Sequence, residues 1–435
     1  PRIKTTADAG RIILYTMNRH QDCLRLYNAN TTTGETSLLL EESVEKYVKS
    51  EAMGDIAIMK DYILVPSDRD GHLHLYLYNK EGKLLRQIEK GDYDVTAIYG
   101  YDAATGNTYF QAARRSPMQR EIYVADKKGR VTALAGTFSG DYRYFLNCWS
   151  DANHPYVYTI MDRKGKVVRE VLNNDKLTQD LAQFEPTKKE FFTFTTSEGV
   201  SLNGWMIKKY PVIMHQYSGP GSQQVTDSWS IGSMGNGGLF DYYLTQKGYI
   251  IVSVDGRGTG GRGAEFEKCT YLNIGDLESK DQVEAAIWLG KQDYIDASRI
   301  GIWGWSYGGF CTLMSMSEGR PGFKAGVSIA PPTNWRFYDS IYTERFMRTP
   351  QENPTGYALN PLVRAKNLHG RLLLCHGLAD DNVHPQNVFE YSEALVQADK
   401  DFKENIYTNR NHSIYGGNTR NHLLRQVAEW FCENL

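Results

Sequence analysis

Residues 1 to about 185 repeat one pattern of apolar and polar positions. Each repeat has an aromatic-rich apolar segment, a polar turn with a glycine, and a second apolar segment, as in "HLYLYNKEGKLLRQI" and "EIYVADKKGRVTALA". The turn glycines are Gly34, Gly82, Gly129 and Gly165, at spacings of 48, 47 and 36 residues. Such turns predict β-hairpins, and a hairpin that recurs at this interval is typical of propeller blades. The pattern predicts an all-β propeller domain over 1–185, with an ordinary β-sandwich as the alternative.

The second part of the chain, 186–435, has a different rhythm, in which buried apolar runs alternate with amphipathic helical stretches. The predicted strands are 211–217, 249–255, 299–304, 324–330, 371–377 and 404–409. The last helix is predicted to bury a face made of Leu424, Val427, Phe431 and Leu435. Apolar strands that alternate with helices indicate a doubly wound, mostly parallel sheet covered on both faces. We therefore expect an α/β domain over 186–435.

Composition narrows the class of protein without identifying it. The chain has 435 residues, of which 41% are hydrophobic and 23% charged, with a net charge of -2. This balance is typical of globular domains and gives no reason to expect nucleic acid or anionic lipid as a partner. Six scattered cysteines without a CxxC pair predict neither a metal site nor a disulfide framework. We expect no metal and no cofactor. The chain begins at Pro1 without a signal peptide, and we interpret it as a mature or truncated chain.

Candidate chemistry appears where the third predicted strand of the α/β part ends. The sequence Gly304-Trp305-Ser306-Tyr307-Gly308 reads G-x-S-x-G, between a strand-like run and a helix-compatible stretch. This is the context of a nucleophile elbow, in which a serine sits on a sharp strand-to-helix turn. The alternative is a glycine-rich turn that contains a serine by chance.

A serine hydroxyl needs a general base, usually a histidine that a carboxylate orients. On this fold the order along the chain is serine, acid, histidine. The loop after strand 371–377 supplies Asp380 and Asp381, and the loop after strand 404–409 supplies His412. We predict His412 as the base and favour Asp380 over its neighbour as the acid. The remaining histidines fit worse, because they precede the acid, follow it too closely, or lie within a strand or the last helix.

Several longer motifs carry a family resemblance. In this order along the chain, "QYSGPGSQ", "DGRGTGGRG", "GWSYGGF", "YDSIYTERFM" and "HGLADDNVH" resemble the dipeptidyl peptidase IV branch of the prolyl oligopeptidase family of serine peptidases, in its bacterial form. The resemblance implies an α/β-hydrolase domain together with part of an eight-bladed propeller, about four blades of it in this chain. It also implies that Ser306 is the nucleophile, His412 the general base and Asp380 its orienting acid.

The same resemblance implies further site residues. Tyr217 would donate its hydroxyl to the oxyanion, beside the backbone N–H of Tyr307. A proline pocket would be formed by Tyr307, Trp335, Tyr338, Tyr342 and Val383. Asn382 would bind the carbonyl of the residue before the proline. For the pocket, the alternative is a plain aromatic core cluster.

The expected function is a serine exopeptidase that releases X-Pro or X-Ala dipeptides through an acyl-enzyme. An oligopeptidase or acylaminoacyl peptidase on the same fold is the alternative, and a non-catalytic binding scaffold is a further one. The resemblance also implies peptide substrates, a homodimer formed through the hydrolase domain, and a periplasmic, secreted or cell-surface location. Two departures stand out: the chain has no Glu-Glu motif for the substrate's amino group, and the loop near Lys208 and Lys209 is short.

Overall fold

A computed structural model describes residues 2–49, 54–134, 137–138, 143–162, 164–183, 188–207, 211–229 and 239–435. The predicted domain boundary between 185 and 186 and the short loop at Lys208 and Lys209 lie outside the described residues. By its internal contacts the chain forms two compact units. The first comprises Pro1–Asp180, Thr226–Trp229 and Gly261–Lys268, and the second comprises Leu181–Val225, Ser230–Gly260 and Cys269–Leu435. Within the described ranges, no helix has the length and apolar character that crossing a membrane requires.

The first unit consists of four antiparallel sheets of four strands each, and within every sheet consecutive strands are neighbours. The strands are β1 Arg2–Thr5, β2 Arg11–Met17, β3 Cys23–Asn30, β4 Thr36–Ser43, β5 Ala57–Ile58, β6 Tyr62–Ser67, β7 His74–Asn79, β8 Leu84–Gln87, β9 Val95–Asp102, β10 Asn107–Ala112, β11 Glu121–Ala125, β12 Val131–Leu134, β13 Thr137–Phe138, β14 Tyr144–Asp151, β15 His154–Asp162 and β16 Val167–Leu172. The predicted β-propeller class is confirmed, and the β-sandwich alternative is wrong.

The four turn glycines explain why the sequence repeats. Each lies between the third and fourth strands of its sheet and has a positive φ, from 75° to 82°. In the last three sheets its N–H donates to the carbonyl of an Asn or Asp three residues earlier, at 2.9–3.0 Å. Glycine adopts this left-handed backbone without a steric penalty, so the repeated residue marks the repeated hairpin.

Apolar side chains join neighbouring sheets into continuous cores. One cluster combines residues of the first and second sheets, such as Ile13, Leu26 and Tyr76. A second cluster combines the second and third sheets and includes Leu77 and Phe110. The second sheet contributes to both clusters and so buries residues on both of its faces, as a stacked blade requires.

The second unit is built on one eight-stranded sheet, whose order is β17-β18-β20-β19-β21-β22-β23-β24. The strands are β17 Glu190–Thr195, β18 Ser201–Ile207, β19 Val212–His215, β20 Ile250–Asp255, β21 Ile300–Trp305, β22 Ala325–Ile329, β23 Arg371–Gly377 and β24 Lys403–Tyr407. From β20 to β24 the pairing is parallel, and β18 pairs antiparallel with both β17 and β20. This is the predicted doubly wound, mostly parallel sheet of an α/β-hydrolase.

The helices of the described residues are α1 Asp175–Ala182, α2 Phe240–Gln246, α3 Ala264–Glu267, α4 Asp276–Leu289, α5 Tyr307–Met316, α6 Ser340–Met347, α7 Pro354–Ala358, α8 Pro361–Arg364, α9 Gln386–Gln397 and α10 Thr419–Asn434. The central strand β21 is buried along almost its whole length, and every residue of α5 is buried. In α10 the buried face is centred on Leu423, Val427 and Phe431, while Leu424 is half-buried. The predicted apolar face was therefore displaced by one position at its start.

Candidate active site

Ser306 lies at the turn between β21 and α5, with φ 59° and ψ -120°. A positive φ is unfavourable for a residue with a side chain, and such strain concentrates at functional sites. The turn is fixed on both sides, because the Ser306 N–H donates to the Ile329 carbonyl at 2.8 Å and its carbonyl accepts from Phe310 N–H at 3.0 Å. The serine is thus held at the carboxyl end of a central strand, where ligand chemistry collects on parallel sheets.

The flanking glycines are required by close backbone approach. A Cβ on Gly304 would lie 2.4 Å from the Gly308 carbonyl oxygen, and a Cβ on Gly308 would lie 2.5 Å from the Gln216 carbonyl oxygen. Both distances are far below van der Waals contact. The Gln216 side-chain amide also donates to the Gly308 carbonyl at 2.6 Å. The elbow therefore packs directly against the chain that follows β19.

The structure brings His412 and Asp380 together from two neighbouring loops. His412 Nδ1 lies 2.7 Å from Asp380 Oδ2. The other carboxylate oxygen, Oδ1, accepts the N–H groups of Asn382 at 3.0 Å and Val383 at 2.9 Å. Asp380 is 3% exposed, whereas Asp381 lies exposed in the same loop. Of the two adjacent acids, only Asp380 has this contact with His412.

A second histidine supports the acid from within the sheet. His376 is fully buried, and its Nε2 lies 2.8 Å from the Val383 carbonyl and 3.4 Å from Asp380 Oδ2. Because a carbonyl only accepts, this Nε2 carries a proton. Burial by itself would raise the pKa of Asp380, but hydrogen bonds from His376 and His412 outweigh it, so the pKa lies well below its ordinary value. An ionised Asp380 then accepts the Nδ1 proton of His412 and leaves its Nε2 lone pair free.

Ser306 and His412 line one cavity of about 290 Å³, together with Tyr217. Burial raises the pKa of Tyr217, an effect that the neighbouring Ser306 hydroxyl only partly offsets, so the Tyr217 hydroxyl keeps its proton. Tyr307 is the first residue of α5, and its backbone N–H has no partner within the helix. Both predicted oxyanion donors therefore lie next to the serine.

A buried carboxyl lies beneath Tyr307. The Tyr307 hydroxyl donates to Glu278 Oε1 at 2.8 Å, and Gly275 N–H donates to Oε2 at 2.8 Å. Burial raises the pKa of Glu278 to about 8, which the hydrogen bonds from Tyr307 and Gly275 only partly offset. Nothing in the local sequence pattern pointed to Glu278, since it reads as one more acidic residue in the first turn of a helix.

The aromatic residues predicted for the proline pocket form one cluster. Ring centroids are 5.5 Å apart for Tyr307 and Trp335, 6.0 Å for Trp335 and Tyr342, and 5.3 Å for Tyr338 and Tyr342. Tyr338 OH donates to Asn382 Oδ1 at 2.7 Å. This contact occupies the amide oxygen and leaves the amide N–H groups of Asn382 as donors.

Val383 is fully buried and meets this region through its backbone, between Asp380 and His376. The glycine-rich turn after β20 has a structural role, because Arg257 pairs with Asp281 and Glu198 there. His215 is buried and contacts Trp303 at 4.4 Å between ring centroids. Burial lowers the pKa of His215 to about 3, so it is neutral.

Two family profiles match the chain. The Prolyl oligopeptidase family matches residues 240–435, and the Dipeptidyl peptidase IV N-terminal region matches residues 1–163. Among curated relatives, the dipeptidyl peptidase 4 of Trichophyton equinum is 32% identical over 95% of this chain and 56% of its own length. The dipeptidyl peptidase 4 of Arthroderma otae is 32% identical over 87% of this chain and 52% of its own length.

A solved structure has the same fold as this chain. The dipeptidyl peptidase 4 of Porphyromonas gingivalis superposes with a TM-score of 0.95 and 44% identity, covering 100% of this chain and 63% of that protein. The chain thus spans about half the length of the curated relatives it matches. Two profiles of one family, on the two units they describe, agree with the relatives and with the fold. The chain belongs to the dipeptidyl peptidase IV branch of the prolyl oligopeptidase family.

Proposed function

We propose that the protein is a serine dipeptidyl peptidase that removes X-Pro or X-Ala dipeptides from the amino terminus of peptides. The observation that carries the proposal is the contact of 2.7 Å between His412 Nδ1 and an ionised Asp380, in a cavity that Ser306 also lines. Membership of the family supports the same reaction. The catalytic roles of Ser306, His412 and Asp380 belong to the same proposal.

In the acylation step, His412 Nε2 takes the proton of Ser306 Oγ as that oxygen attacks the scissile carbonyl. Asp380 holds the imidazole in the tautomer that makes this possible and stabilises the imidazolium that forms. The same proton then goes to the departing amine, and the dipeptide remains as an ester on Ser306. Water, deprotonated by His412, hydrolyses the ester and restores the serine.

The oxyanion of each tetrahedral intermediate would accept hydrogen bonds from the Tyr217 hydroxyl and the Tyr307 backbone N–H. These donors are positioned before the reaction, and one such donor typically contributes about 3 to 4 kcal/mol to transition-state stabilisation. Glu278 holds the Tyr307 side chain through its hydroxyl. We infer that this contact keeps the start of α5, and with it the N–H donor, in place.

Preference for proline would come from the aromatic cluster of Trp335, Tyr338 and Tyr342. Flat, stiff rings suit a pyrrolidine ring, because they gain from burial and lose little side-chain entropy. The amide N–H groups that Tyr338 leaves available on Asn382 would bind the carbonyl of the preceding residue. Together these groups would fix the last two residues of the acyl part.

Cleavage of substrates with a free or an acetylated amino terminus tests whether the protein is an exopeptidase. The protein expressed from its complete gene should cleave Gly-Pro-anilide at least ~100 times more efficiently, in kcat/KM, than N-acetyl-Gly-Pro-anilide, because a lost contact to a charged amine corresponds to such a ratio. Ser306→Ala serves as the blank for both substrates. Equal cleavage of the two anilides would contradict the proposed dipeptidyl peptidase activity and favour an oligopeptidase or acylaminoacyl peptidase. Cleavage of Gly-Leu-anilide as fast as Gly-Pro-anilide would contradict the proline preference.

We also propose a homodimer formed through the hydrolase unit. Phe389 and Val396 are 45% and 58% exposed on α9, and residues seven apart lie on one face of a helix. Sedimentation should give a dimer that the double substitution Phe389→Glu and Val396→Glu converts to a monomer, and an unchanged dimer would exclude this face. For the location, we propose the periplasm, secretion or the cell surface, which fractionation of cells into medium, periplasm, membranes and cytoplasm tests.

A further inference from the structure

The cavity beside Ser306 contains a cation that the proposed reaction does not use. Arg420, near the start of α10, lines the cavity together with Trp305, Ser306, His412 and Ser413. The residues predicted for the proline pocket are not part of its lining. The cavity is therefore a different region of the site from the one proposed to hold the acyl part of the substrate.

The position of Arg420 is fixed by its neighbours. Its guanidinium carbon lies 4.7 Å from the centre of the Trp305 ring. Its Nε donates to the Ile414 carbonyl at 3.4 Å, and Nη2 donates to the Ser413 carbonyl. These bonds use two of the five N–H donors of an arginine. The guanidinium, with its other three N–H donors, is therefore held in a fixed orientation.

Among the described residues, no carboxylate lies within ion-pair distance of Arg420. Other arginines of the same unit that are equally sheltered do have carboxylate partners: Arg257 pairs with Asp281 at 2.7 Å, and Arg364 pairs with Asp276 at 2.9 Å. Burial lowers the pKa of Arg420, as expected for a cation that loses water without gaining an anion. A half-buried, unpaired guanidinium is costly unless an anion binds to it.

The chemistry of the reaction indicates which part of a substrate enters this cavity. His412 gives its proton to the departing amine, so the residues after the cleaved bond lie on the His412 side of Ser306. Arg420 lines that side. In a single departing residue, the carboxylate oxygens are only about 3 to 4 Å from the departing nitrogen. A carboxylate on the first or second departing residue is thus within the dimensions of the cavity.

We propose that Arg420 binds a carboxylate on the departing part of the substrate, so that the protein prefers peptides with a negative charge one or two residues after the cleaved bond. Either the free C-terminus of a tripeptide or tetrapeptide or an acidic side chain can supply this charge. The proposal rests on the proposed function, because it assumes that the peptide is cleaved at Ser306. Guanidinium and carboxylate form paired, charge-assisted hydrogen bonds, which makes Arg420 a specificity-determining residue.

The experiment uses the protein expressed from its complete gene and compares two pairs of matched peptide substrates. Gly-Pro-Ala is compared with Gly-Pro-Ala-amide, which lacks only the terminal charge, and Gly-Pro-Glu-amide is compared with Gly-Pro-Gln-amide, which differs only in the side-chain charge. The charged member of at least one pair should have a kcat/KM about 10- to 100-fold higher, the range expected for a charge-assisted hydrogen bond. The pair that responds identifies the source of the carboxylate.

Variants connect the preference to Arg420. Arg420→Gln should reduce the ratio within the responding pair to near one, and Arg420→Lys should keep part of it. Arg425→Gln is the matched control, since Arg425 lies exposed on the same helix beside Glu429 and should leave the ratio unchanged. The ratio is the readout because Arg420→Gln also removes bonds to the loop that carries His412, which slows both members of a pair alike.

Equal rates within both pairs for the wild-type protein would overturn the proposal, as would a ratio that survives in Arg420→Gln. The wild-type comparison remains decisive if Arg420→Gln fails to fold. Failure of the proposed function gives a different result, in which no Gly-Pro is released from any of the four peptides. Release of Gly-Pro at equal rates contradicts only the role of Arg420.

Discussion

Asp380→Asn is the substitution whose outcome the geometry determines most completely. Oδ1 of Asp380 accepts two backbone N–H groups, from Asn382 and Val383, so the oxygen of an asparagine must occupy that position. Its amide nitrogen then faces His412 Nδ1, where Asp380 Oδ2 now accepts at 2.7 Å. An amide nitrogen donates and does not accept, so the imidazole must place its proton on Nε2. In that tautomer Nε2 has no lone pair to take the Ser306 proton.

The expected loss in kcat is about 10⁴-fold, the effect of the same chemical change in a well-studied serine protease. This corresponds to about 5 kcal/mol of transition-state stabilisation, at 1.36 kcal/mol for each factor of ten. Binding of substrate should change little, because Asp380 is 3% exposed and is not expected to contact the peptide. Steady-state kinetics with Gly-Pro-anilide gives kcat and KM separately, and circular dichroism checks that the variant is folded.

Asp381→Asn is the control, because it makes the same chemical change one residue away at an exposed position. It should keep kcat within about threefold, as surface substitutions away from a site usually have small effects. If Asp380→Asn loses less than tenfold, or if Asp381→Asn is the more damaging of the two, the proposed role of Asp380 is wrong.

Three further predictions address the rest of the site. Tyr217→Phe removes one proposed oxyanion donor and should lower kcat by 10²- to 10³-fold with little change in KM; an unchanged kcat would exclude that role. Burial raises the pKa of Glu278 from 4.5 to about 8, so its stabilising contribution is complete below pH 4.5 and lost as the pH rises toward 8. Glu278→Gln should therefore flatten the fall in the free energy of unfolding between pH 5 and 8.5, and an identical slope would contradict the raised pKa. Gly308→Ala, whose Cβ would lie 2.5 Å from the Gln216 carbonyl oxygen, should lose activity or folding, whereas Gly322→Ala, with no contact closer than 3.6 Å, should be tolerated.

The sequence pattern predicted the elements whose determinants are local. Each of the four turn glycines lies at the same place in its sheet, because one residue with a positive φ is enough to define a hairpin. All six predicted strands of the α/β part overlap strands β19 to β24. The antiparallel strands β17 and β18 were not distinguished, since their alternating pattern continues the rhythm of the preceding hairpins. On α10, an error of one position in helical phase exchanged Leu424 for Leu423.

Site residues were predictable where a motif fixes the backbone. The G-x-S-x-G pattern located Ser306, and the carboxyl ends of β23 and β24 located the loops of Asp380 and His412. No motif decides between the adjacent Asp380 and Asp381. The choice depends on which side chain the loop turns toward His412, and two backbone N–H groups decide this only in the folded chain.

Residues that act through tertiary packing were missed. Glu278 meets Tyr307 across 29 positions of the sequence, and Arg420 on α10 reaches Trp305 at the end of β21. His376 was set aside as a base because it precedes the acid, yet it lies 3.4 Å from that acid as a neighbour. Burial distinguishes Glu278 and His376, and the lack of a carboxylate partner within the described part of the chain distinguishes Arg420. Neither property is encoded in a short stretch of sequence.

The central claim is that Ser306 is the nucleophile, and stoichiometric labelling tests it most directly. A phosphonofluoridate reagent should attach to one serine per chain, and mass spectrometry of the digested protein should place the label on the peptide that contains Ser306. Ser306→Ala should take up no label and should lose about a million-fold in kcat, as removal of the nucleophile does in a well-studied serine protease. A label on another serine, or a Ser306→Ala variant that keeps a tenth of the wild-type activity, would contradict the account.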